Sequence, residues 1–256
     1  MKTKINFSSN KIAEMTTQQI VMLIILLTSF AVLLFFILGL DIQNLSEKEI
    51  CQSSVQLAEK QSFFGSVDCK TDYICISGGG DCEKFTAKHT EKISFKDKKE
   101  AKNKVMIILA EKMADCWWMF GEGKVDYANK KVTDQIVCAV CAEIAFDEKI
   151  KEEIKDIPYS EFKIFLEQNY KNEETKQTYY DYLEGKYERD SNYWGLSIDL
   201  KEVYGIYTGR NSDGNIFNFL PFIGGGIANP MDAIHSTLLK RKDASQIECS
   251  YFVTTP

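Results

Sequence analysis

The sequence predicts an α+β fold, in which one N-terminal transmembrane helix precedes a disulfide-stapled, mixed α/β extracytoplasmic domain. Three observations support this prediction. Residues 20–40 contain no charged side chain, and all eight cysteines follow that run. The remaining chain alternates between segments with helical periodicity and segments with strand periodicity, as expected for a mixed domain.

The uncharged run, IVMLIILLTSFAVLLFFILGL, has the length of a membrane span. A helix rises about 1.5 Å per residue, so this run covers roughly 30 Å, the thickness of a bilayer's hydrocarbon core. The alternatives are a cleaved signal peptide and a buried core helix. The run is longer than a usual signal-peptide core and no small-x-small cleavage site follows it, so we expect a retained anchor.

The flanking charges predict the orientation of this span. Lys2, Lys4 and Lys11 precede it, opposed only by Glu14. Basic flanks stay in the cytoplasm, so the chain beyond the span is expected outside. The predicted organisation is a short cytoplasmic tail (1–19), the span (20–40) and an extracytoplasmic domain (41–256) with a small helical subdomain (147–195).

The predicted outer part is acidic. The chain has 31 basic and 37 acidic residues, and removing the tail leaves 28 basic and 36 acidic ones, a net charge of −8. This charge argues against nucleic acid as a partner. Asn44 begins the sequon Asn44-Leu-Ser46 and is therefore a glycosylation candidate on the outer side.

The cysteines predict disulfides. An even number of cysteines on the outer side is typical of a stapled ectodomain, and the candidates are Cys51, Cys69, Cys75, Cys82, Cys116, Cys138, Cys141 and Cys249. A zinc site is the alternative. It needs two close ligand pairs, and Cys138-x-x-Cys141 has only loosely spaced cysteines to join it. We therefore expect neither a metal nor a cofactor.

The first half of the outer part predicts two helices around a short strand. Ser46–Gln61 should form a helix, Thr90–Phe95 a strand, and a long helix should begin after Asp97 and end at Gly121. Glu100 follows Asp97 by three residues, which resembles a capping box. Asp115 lies in an apolar turn of the long helix and would need a partner there.

The segment Cys75-Ile-Ser-Gly-Gly-Gly-Asp-Cys82 suggests a tight turn tied by a cystine. The triple glycine could also indicate a phosphate cradle. However, the Lys-Ser/Thr pair that follows the glycines of a P-loop is absent, so the turn is the preferred interpretation.

Residues 136–146 alternate in polarity as a core strand does. On a strand, Cys138 and Cys141 point to opposite faces and cannot pair with each other. Cys116 is then a candidate partner for one of them. In a redox enzyme the same motif lies at a helix start instead.

The second half predicts a charged connection, two helices and three strands. These are, in order, Asp147–Asp156, a helix opening at Ser160, a helix over Glu173–Glu184, and strands at Val203–Thr208, Ile216–Leu220 and Ile247–Val253. The apolar stretch 217–228 could cover the core or touch the membrane interface.

Aromatic residues interleaved with acids form the clearest binding candidate. Such surfaces recognise sugars or cationic peptides, and the residues concerned are Tyr179, Tyr180, Tyr182, Tyr187 and Trp194. The alternative is that these tyrosines are the partly exposed core of a helical subdomain.

Four segments carry a resemblance: Thr16-Thr-Gln-Gln-Ile-Val21, Cys75-Ile-Ser-Gly-Gly-Gly80, Asp115-Cys-Trp-Trp-Met-Phe-Gly-Glu-Gly-Lys124 and Cys138-Ala-Val-Cys-Ala-Glu-Ile-Ala-Phe-Asp147. With them the chain resembles a group of uncharacterised single-span, cysteine-containing membrane proteins of small-genome archaea, from the span to about residue 147. The resemblance implies a location on a prokaryotic cell surface. It implies no activity and no catalytic residue.

Three functions are compatible with the sequence. The favoured one is a membrane-anchored, non-catalytic binding or assembly protein of the cell surface, held in the lipid bilayer by residues 20–40 and bound to a protein or glycan partner. The second is a membrane-tethered thiol–disulfide oxidoreductase using Cys138 and Cys141. The third, a surface-polymer hydrolase, rests on acidic and aromatic density alone. No His-Glu-x-x-His, Gly-x-Ser-x-Gly, Walker or Rossmann motif occurs.

Overall fold

The structure, a computed structural model, describes residues 17–39, 46–60, 67–83, 86–95, 97–125, 127, 136–184, 197–211, 237–242, 249 and 251–255. The chain divides into two units, Met1–Leu45 and Ser46–Pro256.

The first unit contains helix α1 (Thr17–Gly39). Its described side chains are those of residues 18–32 and 34, and the apolar ones are exposed, with Met22 at 69%. Within the described residues of the chain, no helix meets the combined length and apolarity that crossing a bilayer requires. The predicted helix is confirmed over most of residues 20–40, whereas the membrane span remains a prediction.

The second unit is a mixed α/β domain built on a six-stranded sheet in its described part. The strands are β2 (Asp72–Ser77), β3 (His89–Lys92), β4 (Ile136–Phe146), β9 (Tyr204–Asn211), β10 (Thr237–Lys240) and β11 (Tyr251–Phe252). Their order is β10-β9-β4-β2-β3, and β11 pairs with the start of β4. β2 is parallel to both β3 and β4, whereas β4–β9 and β9–β10 are antiparallel.

Three two-stranded ladders accompany the sheet. They are β1 (Cys69–Lys70) with β12 (Thr254–Thr255), β5 (Asp156–Pro158) with β8 (Ser197–Asp199), and β6 (Tyr170–Asn172) with β7 (Gln177–Thr178). The helices of this unit are α2 (Glu47–Lys60), α3 (Lys98–Met119), α4 (Glu148–Ile154), α5 (Tyr159–Gln168) and α6 (Tyr179–Glu184). The prediction of a mixed α/β domain is confirmed.

Helix α3 packs on one face of the sheet and lies at the centre of the hydrophobic core. Its side chains Val105, Leu109 and Met113 are buried in one cluster with Ile144 of β4 and Tyr204 of β9. These α3 residues recur every four positions, so they line one face of the helix. Burying a side chain of this size contributes roughly 1.5–3 kcal/mol, so the buried face of α3 contributes strongly to the stability of this layer.

Both ends of α3 follow the prediction. The Asp97 side chain caps the first turn by accepting from the Lys99 amide at 3.2 Å. At the other end, Phe120 is the C-cap, and Gly121 follows it at φ +78°, which suits glycine. The capping box is only half formed, because Glu100 pairs with Lys104 at 2.9 Å.

A β-bulge in β4 determines which side chains face α3. The register with β9 shifts between Val140 and Ala142, so residue 141 is the extra one. A bulge places two consecutive side chains on one face and reverses the alternation beyond it. Cys141 and Ala142 accordingly both lie in the α3 core, whereas Cys138, three residues before Cys141, lies in a second cluster on the opposite face. The opposite orientation predicted for these cysteines is confirmed.

Two predicted elements of the second half are wrong. Asp147–Asp156 is not only a charged connection, because it contains helix α4, whose Ile150 and Ile154 are buried at helical spacing. The helix predicted over Glu173–Glu184 is shortened to α6. The Asn172 side chain accepts from the amides of residues 174 and 175 and starts a turn, which favours the β6–β7 hairpin over a helix.

The remaining predicted elements are confirmed in their described parts, with altered bounds. Ser46–Gln61 corresponds to α2, Thr90–Phe95 to β3, Ser160 to α5, Val203–Thr208 to the longer β9, and Ile247–Val253 to the short β11. The strand predicted at Ile216–Leu220 and the stretch 217–228 lie outside the described residues.

Candidate functional site

The four cystines are the first functional feature of the domain. All eight cysteines are paired, as Cys51–Cys69, Cys75–Cys82, Cys116–Cys141 and Cys138–Cys249. The predicted disulfides are thereby confirmed, including the turn closed by Cys75 and Cys82. Cys116 was expected to pair with Cys138 or Cys141, and its partner is Cys141.

The Cys138-x-x-Cys141 motif does not form a dithiol pair. Because side chains alternate along a strand, its cysteines lie on opposite faces of β4, and each is linked to a different distant cysteine. Thiol–disulfide exchange needs two thiols that can bond to each other, normally at a helix start. This geometry gives no support to the oxidoreductase hypothesis.

The triple-glycine turn binds a carboxylate from its own chain. Asp147 is buried, and its Oδ2 accepts hydrogen bonds from the Gly78 amide at 2.9 Å and the Gly80 amide at 2.8 Å. The Ser77 hydroxyl donates to the same oxygen at 3.0 Å, and the Ile150 amide donates to Oδ1 at 2.9 Å. Burial raises the pKa of Asp147, but these hydrogen bonds outweigh that effect and hold the pKa below its ordinary value.

This arrangement explains why the turn resembles a phosphate cradle without the rest of that motif. Backbone amides of a glycine-rich turn converge on an anion, as they do in a P-loop. Here the anion is Asp147, which is also the N-cap of α4. The cradle is therefore a structural joint between the ends of β2 and β4.

The strongest candidate for a binding surface lies where α3 meets α6. We call it the acidic–aromatic face and define it by Glu111, Asp115, Glu122, Tyr179 and Tyr182. The tyrosines are only 8% and 9% exposed, whereas Glu111 is exposed and Asp115 and Glu122 are half-buried. Burial raises the pKa of both tyrosines, and the Asp115 carboxylate adds a smaller rise.

Glu122 is held in an unusual backbone conformation. It lies at φ +53°, between Gly121 at +78° and Gly123 at +73°. A left-handed conformation costs a residue with a Cβ about 1–2 kcal/mol. The conformation places the carboxylate where Tyr182 donates a hydrogen bond to Oε1 at 2.7 Å and Lys124 pairs with Oε2 at 2.7 Å.

The acids of this face have distinct protonation tendencies. Burial raises the pKa of Glu122, but hydrogen bonds from Lys124 and Tyr182 outweigh it, so the pKa is lowered. Burial raises the pKa of Glu111, and the Asp115 carboxylate one turn along the helix adds to that rise. Asp115 is half-buried and pairs with Lys48 of α2, which supplies the partner that the sequence required.

Lysine ammonium groups lie over two of the tyrosine rings. Lys171 Nζ is 4.1 Å from the Tyr182 ring centroid, and Lys163 Nζ is 5.4 Å from that of Tyr180. Both distances fall within the range of cation–π attraction. The aromatic groups in this part of the chain therefore contact cations.

The predicted aromatic candidates are only partly available to a partner. Tyr179 and Tyr182 are buried and Tyr180 is half-buried, which agrees with the alternative that the tyrosines form core. Tyr187, Trp194 and the glycosylation candidate Asn44 lie outside the described residues. Sequence reasoning missed Glu111 and Glu122, although the Gly121-Glu-Gly123 pattern could have indicated a left-handed turn.

Within the part of the chain that the structure describes, no group of three or more His, Cys, Asp or Glu side chains could hold a metal ion. No protein-family model, curated protein or solved structure matches the chain. The function is therefore argued from the domain's own cystines and surface.

Proposed function

We propose that the protein is a membrane-anchored binding or assembly protein of the cell surface, with its N-terminus in the cytoplasm and its domain outside. The observation that carries this proposal is the set of four cystines, which includes every cysteine of the chain. Cystines persist in oxidising compartments and are rare where thiols are kept reduced. All eight cysteines follow residue 40, so a span at residues 20–40 would separate them from the basic tail.

The proposed anchor rests on the sequence of residues 20–40. The run is free of charge and long enough to cross the hydrocarbon core, and the tail before it carries three lysines against one acid. In α1, apolar side chains such as Leu23 and Ile25 are exposed on different sides of the helix. The exposed side chains are consistent with contact to lipid.

A charge-insertion experiment tests the anchor. Leu26→Lys together with Leu27→Lys places two charges near the centre of the run, where each costs about 2.5–3.5 kcal/mol. We expect this variant to leave the alkaline-washed membrane fraction. Leu57→Lys, at an exposed position of α2, is the control and should stay with the wild type. Membrane retention of the double variant would contradict the proposed anchor.

The acidic–aromatic face is the proposed binding surface. Its carboxylates and tyrosines combine negative charge with aromatic rings, and nearby tyrosines already contact lysine ammonium groups. These features favour a basic protein segment as the partner over a neutral glycan. The net negative charge of the chain favours the same class of partner.

Crosslinking in native membranes tests the binding function. The wild-type protein should crosslink to a basic partner, and the yield should fall as salt increases. The variant Glu111→Gln/Asp115→Asn should lose most of that yield. The control Glu152→Gln/Glu153→Gln changes two exposed acids of α4 and should keep it. Equal yields from both variants would reject this face as the binding surface, and a salt-independent sugar adduct would indicate a glycan partner.

A further inference from the structure

Within the acidic–aromatic face, the phenol of Tyr182 and the carboxylate of Glu122 are bonded to each other. The Tyr182 hydroxyl donates a hydrogen bond to Glu122 Oε1 at 2.7 Å. A phenol that donates to a carboxylate gains electron density, because hydrogen-bonded groups polarise one another. The ring therefore offers a cation a more negative face, and the carboxylate adds a full negative charge beside it.

A cation of the chain itself lies over this ring. Lys171 Nζ is 4.1 Å from the Tyr182 ring centroid, closer than the 5.4 Å between Lys163 Nζ and the Tyr180 ring. Burial raises the pKa of Glu122, hydrogen bonds from Lys124 and Tyr182 lower it, and the Lys171 charge lowers it further. The ammonium group of Lys171 is therefore attracted by the ring and by the carboxylate together.

The position of Lys171 allows it to be exchanged for another cation. It belongs to β6, whose three residues are all exposed, and the ladder that β6 forms with β7 is short and irregular in register. Lys163 is held more firmly, because it also pairs with Glu167 at 3.8 Å. Among the described residues, Lys171 has no such ion pair to keep it in place.

A guanidinium group suits this arrangement better than an ammonium group does. It is planar and weakly hydrated, so it can stack on an aromatic ring while its edge donates to a carboxylate. Glu122 Oε1 accepts from Tyr182 and Oε2 from Lys124, and each carboxylate oxygen has a second lone pair for a further donor. The Lys124 side chain is 77% exposed, so its ion pair is weak and can rearrange.

We propose that Tyr182 and Glu122 form a guanidinium site for an arginine side chain of the basic partner, and that Lys171 occupies this site until the arginine replaces it. The exchange is non-covalent, since one ammonium group moves into water and one guanidinium group takes its place. This inference rests on the proposed binding function, because it assigns one side chain of the proposed partner to one position in the acidic–aromatic face.

Titration of the purified full-length protein in detergent with blocked pentapeptides tests the site. The probes are Gly-Ser-Arg-Ser-Gly and two versions in which lysine or citrulline replaces the arginine. Citrulline has the shape of arginine without its charge. Fluorotyrosine labelling makes binding visible by fluorine NMR, and the Tyr182 signal is the one missing from Tyr182→Phe. We expect this signal to shift most with the arginine peptide, less with the lysine peptide, and not with the citrulline peptide.

Removal of the internal competitor gives the sharper result. The apparent Kd equals the intrinsic Kd divided by the fraction of molecules whose site is open, so with Lys171 in place in about nine molecules of ten, Lys171→Ala should bind the arginine peptide about tenfold more tightly. Lys176→Ala removes an exposed lysine from the turn of the same hairpin and should bind as the wild type does. Lys171→Ala/Glu122→Gln keeps an oxygen for the Tyr182 hydroxyl but lacks the charge, and should lose the gain.

Equal affinity of the wild type and Lys171→Ala for the arginine peptide would overturn the inference. An equal gain from Lys176→Ala would also overturn it, because the gain would then be a general effect of charge. Binding of the citrulline peptide as tight as that of the arginine peptide would do the same. The crosslinking test depends on a native partner and on Glu111 and Asp115, whereas this titration needs neither. Failure of the proposed function is therefore distinguishable from failure of the guanidinium site.

Discussion

Asp147 joins two elements through one side chain, because a single carboxylate accepts hydrogen bonds from the Gly78 and Gly80 amides and from the first turn of α4. Without it, several buried donors lose their partner. Leaving a buried donor unsatisfied costs about 1–3 kcal/mol, and losing a helix cap costs about 1 kcal/mol. The stability of this joint should therefore depend on both the identity and the charge of residue 147.

The first prediction concerns Asp147→Asn. The asparagine would either point its NH₂ group at the glycine amides or turn it away and leave another donor without its acceptor. We therefore expect a loss of roughly 2–4 kcal/mol in the free energy of unfolding. Urea unfolding measures this. Asp81→Asn changes an exposed acid in the same turn and should stay within about 0.5 kcal/mol of wild type.

The same carboxylate predicts a pH dependence. Its folded pKa is lowered, so its stabilising effect is present above the unfolded value, about 3.9, and is lost as the pH falls through the folded pKa. The wild type should lose stability below about pH 4, and Asp147→Asn should show a flatter profile there. Parallel profiles for the two proteins would show that Asp147 is not responsible.

The second prediction compares two glycines with positive φ. A Cβ on Gly79, at φ +129°, would meet no atom within 4 Å, whereas a Cβ on Gly121, at φ +78°, would lie 2.3 Å from Val125 Cγ2. Gly79→Ala should cost only the backbone strain of its positive φ, about 1–3 kcal/mol, and Gly121→Ala should add to its own strain a clash of about 1–3 kcal/mol. Equal thermal shifts would indicate that Val125 moves aside freely.

At the scale of elements, the cystines connect parts of the chain over very different distances. Cys75 and Cys82 close a separation of 7 residues within one turn, Cys116–Cys141 links α3 to β4 across 25, and Cys138–Cys249 spans 111. In the chain-entropy account these loops correspond to about 2.5, 3.5 and 4.8 kcal/mol of stabilisation. The Cys75–Cys82 cystine is also partly redundant, because Asp147 accepts hydrogen bonds from the same turn.

The third prediction ranks the cystines by the stability lost when each is removed. Cys75→Ser/Cys82→Ser should destabilise the domain least, and Cys138→Ser/Cys249→Ser most, as measured by unfolding in denaturant. Cys82 is half-buried, whereas both Cys116 and Cys141 are buried. Partial reduction under native conditions should therefore open Cys75–Cys82 before Cys116–Cys141. Earlier opening of Cys116–Cys141 would contradict the buried position of that cystine.

At this scale the sequence was most informative where periodicity was strong. The alternation at residues 136–146 predicted both the strand and the separation of Cys138 from Cys141, and Asp97 predicted the start of α3. The β6–β7 hairpin was missed because its signal is the Asn172 side-chain turn, which competes with a helix-forming composition. Only the Cys75–Cys82 pair and the candidacy of Cys116 could be read from the sequence; the full set of pairings could not, since eight cysteines allow 105 connectivities.

At the scale of the whole molecule, charge pattern and cysteine positions predict a compartment, whereas the surface depends on tertiary structure. The acidic–aromatic face joins α3 to α6, which are about sixty residues apart, so no local pattern could have assembled Glu111 with Tyr179. The ion pair between Glu143 of β4 and Arg241, which follows β10, has the same origin, because the order β10-β9-β4 brings these distant segments into one sheet. Interactions between distant segments are what the sequence could not provide.

The central claim is that this domain is held by four cystines outside the cytoplasm. The most direct test is thiol trapping in living cells, with acid quenching and alkylation before lysis, followed by peptide mass mapping of the protein. We expect no alkylated cysteine and the linkages 51–69, 75–82, 116–141 and 138–249. Alkylation of most cysteines in the cell, or a Cys138–Cys141 linkage, would contradict the claim.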